Sequence, residues 1–125
     1  MTKENNTFAE RTKRHPNGGG LVSETAYVAL TAFVGPQAQV LGYSSVFERA
    51  RVEDHSIVSG RARVSGDAVL QGKVHVYEMA FVSSKARIED FAEIFGRAVI
   101  EGDATVGGAA KVGGFCHISG RLTVY

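Results

Sequence analysis

Few residues of this 125-residue chain could do chemistry, and histidines are the most versatile of them. His75 comes nearest to a general base, because an imidazole can accept a proton near neutral pH. Glu93 follows it eighteen residues later and is the other candidate. No histidine has a local partner that marks it as a base. The sequence therefore assigns no catalytic residue, and His75 and Glu93 are the nearest candidates.

The other reactive groups favour structural roles. Cys116 falls on a column of small residues that the repeat described next turns inward, so we expect a packed thiol. As the single cysteine it can form no disulfide within the chain. The glycines at 18–20 are followed by no helix and by no lysine of the kind that phosphate-binding loops use. We therefore expect no cofactor.

A period of six residues organises the chain. Aliphatic residues occupy every sixth position: Val22, Val28, Val34, Val40, Val46, Val52, Val58, Val64, Leu70, Val76, Val82, Ile88, Ile94, Ile100, Val106, Val112, Ile118 and Val124. If this position is called i, then i+4 is mostly alanine or serine and i+2 is often glycine or acidic. Along a strand, the side chains at i, i+2 and i+4 point the same way. Because the residue at i+2 favours a turn, each strand must end soon after i, and the pattern therefore indicates very short strands.

Three such hexads predict one triangular coil of eighteen residues. We expect an all-β, single-stranded parallel β-helix of about six coils, left-handed, whose strands stack about 4.8 Å apart. Residues eighteen apart should then be neighbours, and one such column alternates in charge: Arg49, Asp67, Lys85, Asp103 and Arg121. An antiparallel sheet is disfavoured, because it needs hairpin signals every 8–12 residues and period-two patterning.

Composition limits the function classes. We expect two regions, a polar tail with a cap and leading turn at 1–20 that includes Phe8, and the solenoid at 21–125. A net charge of +1 argues against nucleic-acid binding by bulk charge. No apolar run reaches membrane-spanning length, and residues 1–20 lack a signal-peptide core. We therefore expect a cytoplasmic protein without a membrane partner.

Outward aromatic residues are the clearest functional signal. Tyr77, Phe81, Phe95 and Val99 fall on outward positions of neighbouring coils, and Tyr125 ends the repeat at an unpaired strand edge. The sequence predicts that these five residues form an interface with a second copy, as a dimer or trimer, or with another protein. Scattered surface residues that stack between coils are the alternative interpretation.

Individual hexads carry a family resemblance. Residues 58–63 and 64–68 (VSGRAR and VSGDA), the leading segment 15–22 and the hexad containing Gly35, Pro36 and Ala38 resemble the hexapeptide-repeat superfamily of left-handed β-helices. Within it they are most similar to the YdcK-like branch of putative transferases. The resemblance implies the fold and, for many members, acyl transfer at a histidine between the subunits of a trimer. The inserted loop and C-terminal helical domain typical of such enzymes are absent from the sequence.

The resemblance also bears on metals. The γ-class carbonic anhydrases share the fold and bind zinc through closely spaced histidines of adjacent subunits. His55 and His75 are twenty residues apart and match no such spacing, so we expect no metal.

Three functions remain open at this point. The first is a non-catalytic, oligomerising scaffold or protein-binding solenoid. The second is an acyltransferase-like enzyme whose site lies in a cleft between subunits and uses His75 beside Glu93. The third is a filament subunit resembling bactofilins, which polymerise end to end.

Overall fold

The computed structural model describes residues 11–125, and every regular element in that range is a β-strand. The first ten strands are β1 (Thr12–Arg14), β2 (Leu21–Ser23), β3 (Tyr27–Val28), β4 (Phe33–Val34), β5 (Gln39–Val40), β6 (Ser45–Val46), β7 (Arg51–Val52), β8 (Ile57–Val58), β9 (Arg63–Val64) and β10 (Val69–Leu70). The others are β11 (His75–Val76), β12 (Phe81–Val82), β13 (Arg87–Ile88), β14 (Glu93–Ile94), β15 (Val99–Ile100), β16 (Thr105–Val106), β17 (Lys111–Val112), β18 (His117–Ile118) and β19 (Thr123–Val124).

The strands form three parallel sheets, which are the three faces of a solenoid. Face A contains β2, β5, β8, β11, β14 and β17; face B contains β3, β6, β9, β12, β15 and β18; face C contains β4, β7, β10, β13, β16 and β19. Every parallel pair joins residues eighteen apart, as His75 joins Glu93. The predicted all-β parallel solenoid of about six coils is confirmed. Its left-handed sense stays a prediction.

The core is a thin column in which large and small residues alternate. The aliphatic position i is buried along nearly the whole solenoid, and i+4 supplies alanine or serine between successive i residues. Ser44 and Ser56 are buried at i+4, and the Ser44 hydroxyl donates to the carbonyl of Leu41 at 2.6 Å. The side chains at i and i+4 fill the core by close packing, so the outward side chains at i+1, i+3 and i+5 take no part in it.

The corners explain the glycines and acidic residues at i+2. Gly60 has φ of +65°, and a Cβ there would lie 2.8 Å from the amide nitrogen of Glu78 in the next coil. Where an acidic residue takes i+2, its carboxylate accepts a hydrogen bond from the glycine amide one coil later. The Gly96 amide donates to Glu78 at 2.8 Å, and the Gly72 amide donates to Asp54 at 2.9 Å. The residues at i+2 therefore set the backbone of each corner, and the i+3 side chain beside them is free to vary.

The predicted charge column lies on the corner between faces B and C, here called corner BC. Arg49 and Asp67 form an ion pair there at 3.3 Å, as the eighteen-residue register requires. This agreement places equivalent corner residues directly above one another.

The N-terminal end of the solenoid is covered by the chain itself. Strand β1 pairs antiparallel with β2, and the turn at 15–20 lies across the first coil. His15 is buried, with Nε2 2.9 Å from the carbonyl oxygen of Ala32. The Val34 amide donates to the carbonyl of Asn17 at 3.1 Å. The predicted capping role of Phe8 lies outside the described residues.

The last coil corrects one prediction. Cys116 is exposed rather than packed, and Leu122 at an equivalent i+4 position is about half exposed. In this part of the structure no further coil stacks on them, so the i+4 column loses its cover. No helix long and apolar enough to cross a membrane occurs within residues 11–125.

Candidate functional site

Face A brings the two catalytic candidates together with three residues that sequence analysis did not connect to them. His75 and Glu93 are directly paired neighbours in the i+5 column of this face. The i+1 column beside it contains Ser59, Tyr77 and Phe95. All five side chains are partly buried by one another. We call this group the His75 cluster.

Hydrogen bonds and ring contacts connect the whole cluster. The Ser59 hydroxyl and His75 Nε2 share a hydrogen bond of 2.9 Å, and the His75 and Tyr77 rings are 4.3 Å apart. The Tyr77 hydroxyl donates to Glu93 Oε1 at 3.2 Å. Tyr77 also stacks on Phe95, with ring centroids 5.4 Å apart and planes within 16°. The cluster is a continuous polar and aromatic chain across three coils.

Partial burial sets the protonation of the cluster. Loss of water around His75 lowers the pKa of its imidazole, and the nearby Glu93 carboxylate opposes this only in part. Burial also raises the pKa of Tyr77, and its hydrogen bond to Glu93 acts in the same direction. A neutral imidazole and a neutral phenol therefore lie beside an acceptor carboxylate. The imidazole is in the form that a general base requires.

A second requirement of acyl transfer is missing among the cluster residues. A tetrahedral intermediate needs donors aimed at its oxyanion, and backbone amides commonly supply them. On face A the amides of Ser59, Tyr77 and Phe95 all donate to carbonyls of the next coil, at 2.9 Å each. The strand ladder therefore uses the amides nearest to Ser59 and His75. The cluster can orient a proton acceptor but supplies no backbone oxyanion site of its own.

The corner between faces A and B, here called corner AB, carries a different column. Its i+3 residues alternate between large apolar side chains and arginines: Tyr43, Arg61, Met79, Arg97 and Phe115. Tyr43 is 65 % exposed, Met79 52 % and Phe115 83 %. The Arg61 guanidinium lies 5.6 Å from the Tyr43 ring centroid, and Arg97 lies 5.8 Å from that of Phe115. Cation–π contacts thus order an exposed apolar ridge.

The five residues predicted as an interface do not share one face. Tyr77 and Phe95 lie on face A, whereas Phe81 and Val99 are paired neighbours on face B. Corner AB separates the two pairs. Tyr125 lies on face C, where its ring covers Gly107. Their role as an interface stays a prediction, and it would need contacts on both sides of corner AB.

A sixteen-residue spacing is the signal that sequence reasoning missed. Within residues 11–125, side-chain pairs join an i+1 residue to the i+5 residue of the next coil, which is a diagonal step on one face. These pairs are Ser59–His75, Tyr77–Glu93, Gln71–Arg87 and Glu101–His117. A search for partners at sixteen as well as eighteen residues would have connected Ser59 to His75.

The described part of the chain contains no cluster of side chains that could bind a metal ion. Within residues 11–125 no group of three or more histidine, cysteine, aspartate or glutamate side chains is arranged to hold an ion. His55 lies exposed on the corner between faces C and A, and His117 pairs with Glu101 at 2.5 Å on face B. His55, His75 and His117 thus lie on three different parts of the solenoid surface.

Comparisons with known proteins add no identification. No family model, no curated protein and no solved structure matches this chain. The fold agrees with the wider resemblance to β-helical solenoids, which rests on the coil architecture.

Proposed function

We propose that this protein is a non-catalytic, self-associating β-solenoid that presents its outer faces to protein surfaces. The observation that carries the proposal is the ordered apolar ridge of corner AB, together with the aromatic side chains on the two faces beside it. Exposed apolar side chains that alternate with arginines and are already ordered favour burial against a protein. A rigid backbone reduces the entropy that such burial would cost.

Light scattering coupled to size exclusion tests the proposal directly. The intact chain has a mass of 13.3 kDa, and we expect a discrete species of at least twice that mass over a dilution series. A single species of 13.3 kDa at every accessible concentration would contradict self-association.

A matched pair of variants locates the surface involved. Tyr43 on corner AB and Phe91 on the corner between faces C and A are almost equally exposed, at 65 % and 63 %. We expect Tyr43→Ala to raise the dissociation constant several-fold, because its ring lies on the proposed surface. Phe91→Ala removes a similar exposed area and should leave the constant unchanged. Equal effects of the two substitutions would argue against a defined surface at corner AB.

The His75 cluster supports a second candidate function, an acyltransferase-like enzyme related to the YdcK-like resemblance. Its support is the neutral imidazole of His75 beside Ser59, Tyr77 and Glu93. Because the amides of face A are used by the strand ladder, a second subunit would have to supply the oxyanion donors and the donor-binding surface.

Acetyl coenzyme A separates the two functions. The scaffold function predicts no shift of the melting temperature when acetyl coenzyme A is added to the intact protein. The enzyme function predicts a concentration-dependent rise, because a ligand that binds only the folded state stabilises it. It further predicts acetyl transfer to an amine or hydroxyl acceptor that His75→Gln abolishes without loss of that rise.

A further inference from the structure

We propose that a second copy of this chain packs on face B, parallel to the first and related to it by a two-fold axis that runs along the solenoid. This inference deepens the proposed self-association and rests on it. Such an axis places corner AB of one copy against corner BC of the other along both edges of the interface. It permits no axial slip in a closed dimer, so each coil meets the same coil of its partner copy.

The charges at the two edges of face B are complementary in this arrangement. On corner AB, Arg61 and Arg97 are two coils apart, or about 9.6 Å. On corner BC, Asp67 and Asp103 have the same separation. Arg61 precedes Asp67 by six residues, a third of a coil, so the two lie within about 1.6 Å in height. Each arginine therefore meets an aspartate of the second copy, at both edges.

The coils on either side of these charges match as well. Tyr43 of one copy faces Arg49 of the other, and Phe115 faces Arg121. In the coil between the charges, Met79 faces Lys85. Both pairs bring a guanidinium to an exposed ring, which is a favourable contact at an interface. The ion pair of Arg49 with Asp67 within one copy orients the same groups before association.

The middle of face B is complementary in size. The axis brings each i+5 residue opposite the i+1 residue of the same coil in the other copy. Phe81 then faces Ser83, and Phe47 faces Ser45. At five of the six coils a ring or an arginine meets serine or alanine, and Val99 opposite Glu101 is the exception. Large side chains thus have room to cross the interface plane, as a well-packed interface requires.

A copy turned upside down fits less well in the middle of the face. It would bring corner AB onto corner AB and corner BC onto corner BC. With all six coils overlapping, Asp67 would face Lys85 and Arg49 would face Asp103, but Arg61 would face Met79 and gain no opposite charge. Equivalent columns would also meet, so that Ser65 would face Ser83 and leave a gap. A shift by one coil would instead bring Arg61 onto Arg97 and leave one coil of each copy uncovered.

The other two faces lack this pattern. On face A the corresponding edge pairs are His55 with Arg61 and Phe91 with Arg97, and no opposite charges meet. On face C, Arg49 would meet His55, and the single opposite pair joins Asp67 to Lys73. Face B is therefore the face on which opposite charges meet twice along each edge, at Arg61 with Asp67 and at Arg97 with Asp103.

Arg63 limits the affinity of the arrangement. Its guanidinium lies in the middle of face B, 5.8 Å from the Phe47 ring and 5.5 Å from the Phe81 ring. The two rings accommodate the charge, but its partial loss of water opposes association. We therefore expect a moderate affinity that decreases with salt, since the edge pairs remain close to solvent.

Charge exchange tests the inference on the full chain. One variant combines Arg61→Asp with Arg97→Asp, and the other combines Asp67→Arg with Asp103→Arg. Each alone should raise the dissociation constant of the dimer at least about tenfold, because like charges then meet at both edges. An equimolar mixture of the two should regain the dimer mass, because both edges of the heterodimer again pair opposite charges. Lys73→Asp with Lys111→Asp is the control for the arginine variant, because it lowers the net charge by the same amount away from face B.

Crosslinking tests the parallel orientation without altering the edges. In the background Cys116→Ser, the substitution Ser119→Cys places one thiol on face B in the last coil. A short bismaleimide should join two parallel copies, whereas in an antiparallel pair the thiols lie at opposite ends. Circular dichroism and melting temperature confirm that each variant is folded.

The outcomes separate this inference from the proposed function. A dimer that loses mass in each charge variant, recovers it in the mixture and crosslinks at Ser119→Cys supports the parallel face B dimer. A stable oligomer that ignores the charge variants, fails to crosslink or is a trimer overturns it and leaves self-association intact. A monomer at all concentrations overturns both.

Discussion

Faces A and B have the same backbone, but their outward side chains make different kinds of contact. On face A, Ser59, His75, Tyr77 and Glu93 use one another as hydrogen-bond and ring partners within one copy. On face B, Arg63 contacts the Phe47 and Phe81 rings and His117 pairs with Glu101, but large residues lie beside small ones and the edge charges would find further partners in the proposed dimer. The comparison shows that outward positions of a solenoid can carry different sets of contacts while the core stays the same.

The shared backbone gives the largest expected effect. Gly60 is part of the corner from which both faces extend, and a Cβ there would contact Glu78 backbone atoms at 2.8–3.1 Å at a φ of +65°. We expect Gly60→Val to reduce the free energy of unfolding by roughly 2–4 kcal/mol in a denaturant titration. Arg61→Val, one position on and exposed, should cost less than about 1 kcal/mol. Similar losses at the two positions would show that the corner backbone is not the constraint.

A bulky residue at equivalent positions of the two faces tests the comparison itself. Ser59 on face A and Ser65 on face B both occupy i+1. Ser65→Tyr places a ring where Arg63 of a second copy must fit, so we expect the dimer dissociation constant to rise about tenfold, or ~1.4 kcal/mol. Ser59→Tyr should leave it unchanged. Sedimentation velocity over a dilution series measures both, and the reverse result would assign the interface to face A.

The His75 cluster predicts a smaller, pH-dependent effect on stability. Burial lowers the pKa of His75 below the value of the unfolded chain, so the unfolded state binds the proton more readily. The resulting loss of stability is absent above the unfolded pKa of about 6.5 and grows as the pH falls below it. His75→Gln should flatten the decrease in melting temperature between neutral and mildly acidic pH, whereas His55→Gln should not. An unchanged slope in His75→Gln would remove the cluster as the cause.

The edge of face B gives the smallest effect within one copy. Asp67→Asn removes the ion pair with Arg49, whose two side chains are 79 % and 47 % exposed. We expect a loss of about 0.2–1 kcal/mol at low salt under dilute, monomeric conditions, which decreases at high salt. A larger, salt-independent loss would indicate a structural role for Asp67 beyond this pair.

Much of the fold followed from the sequence because the six-residue period is uninterrupted. The positions of Val58, Val64 and Leu70 fix which side chains enter the core, and Gly60 and Gly66 fix where the corners turn. The exposure of Cys116 did not follow, because an inward position is buried only if another coil covers it. Local pattern determines the direction of a side chain, whereas burial depends on what stacks above.

The site was less accessible to the same reasoning. The eighteen-residue spacing paired His75 with Glu93. Ser59 and Tyr77 belong to the same cluster because of diagonal contacts between residues sixteen apart, which that spacing does not predict. Such contacts depend on rotamers and on the space left by neighbours, which a periodic pattern does not encode.

The sequence by itself determined the all-β parallel solenoid, its coil length, its core and the alternating charges of corner BC. Each of these follows from the period, because a repeating backbone imposes the same direction on every equivalent side chain. The tertiary structure alone decided that Ser59 reaches His75 and that Cys116 is exposed. The physical reason is that a period fixes the direction of a side chain, whereas its contacts and burial depend on its rotamer and on the coil that stacks beside it.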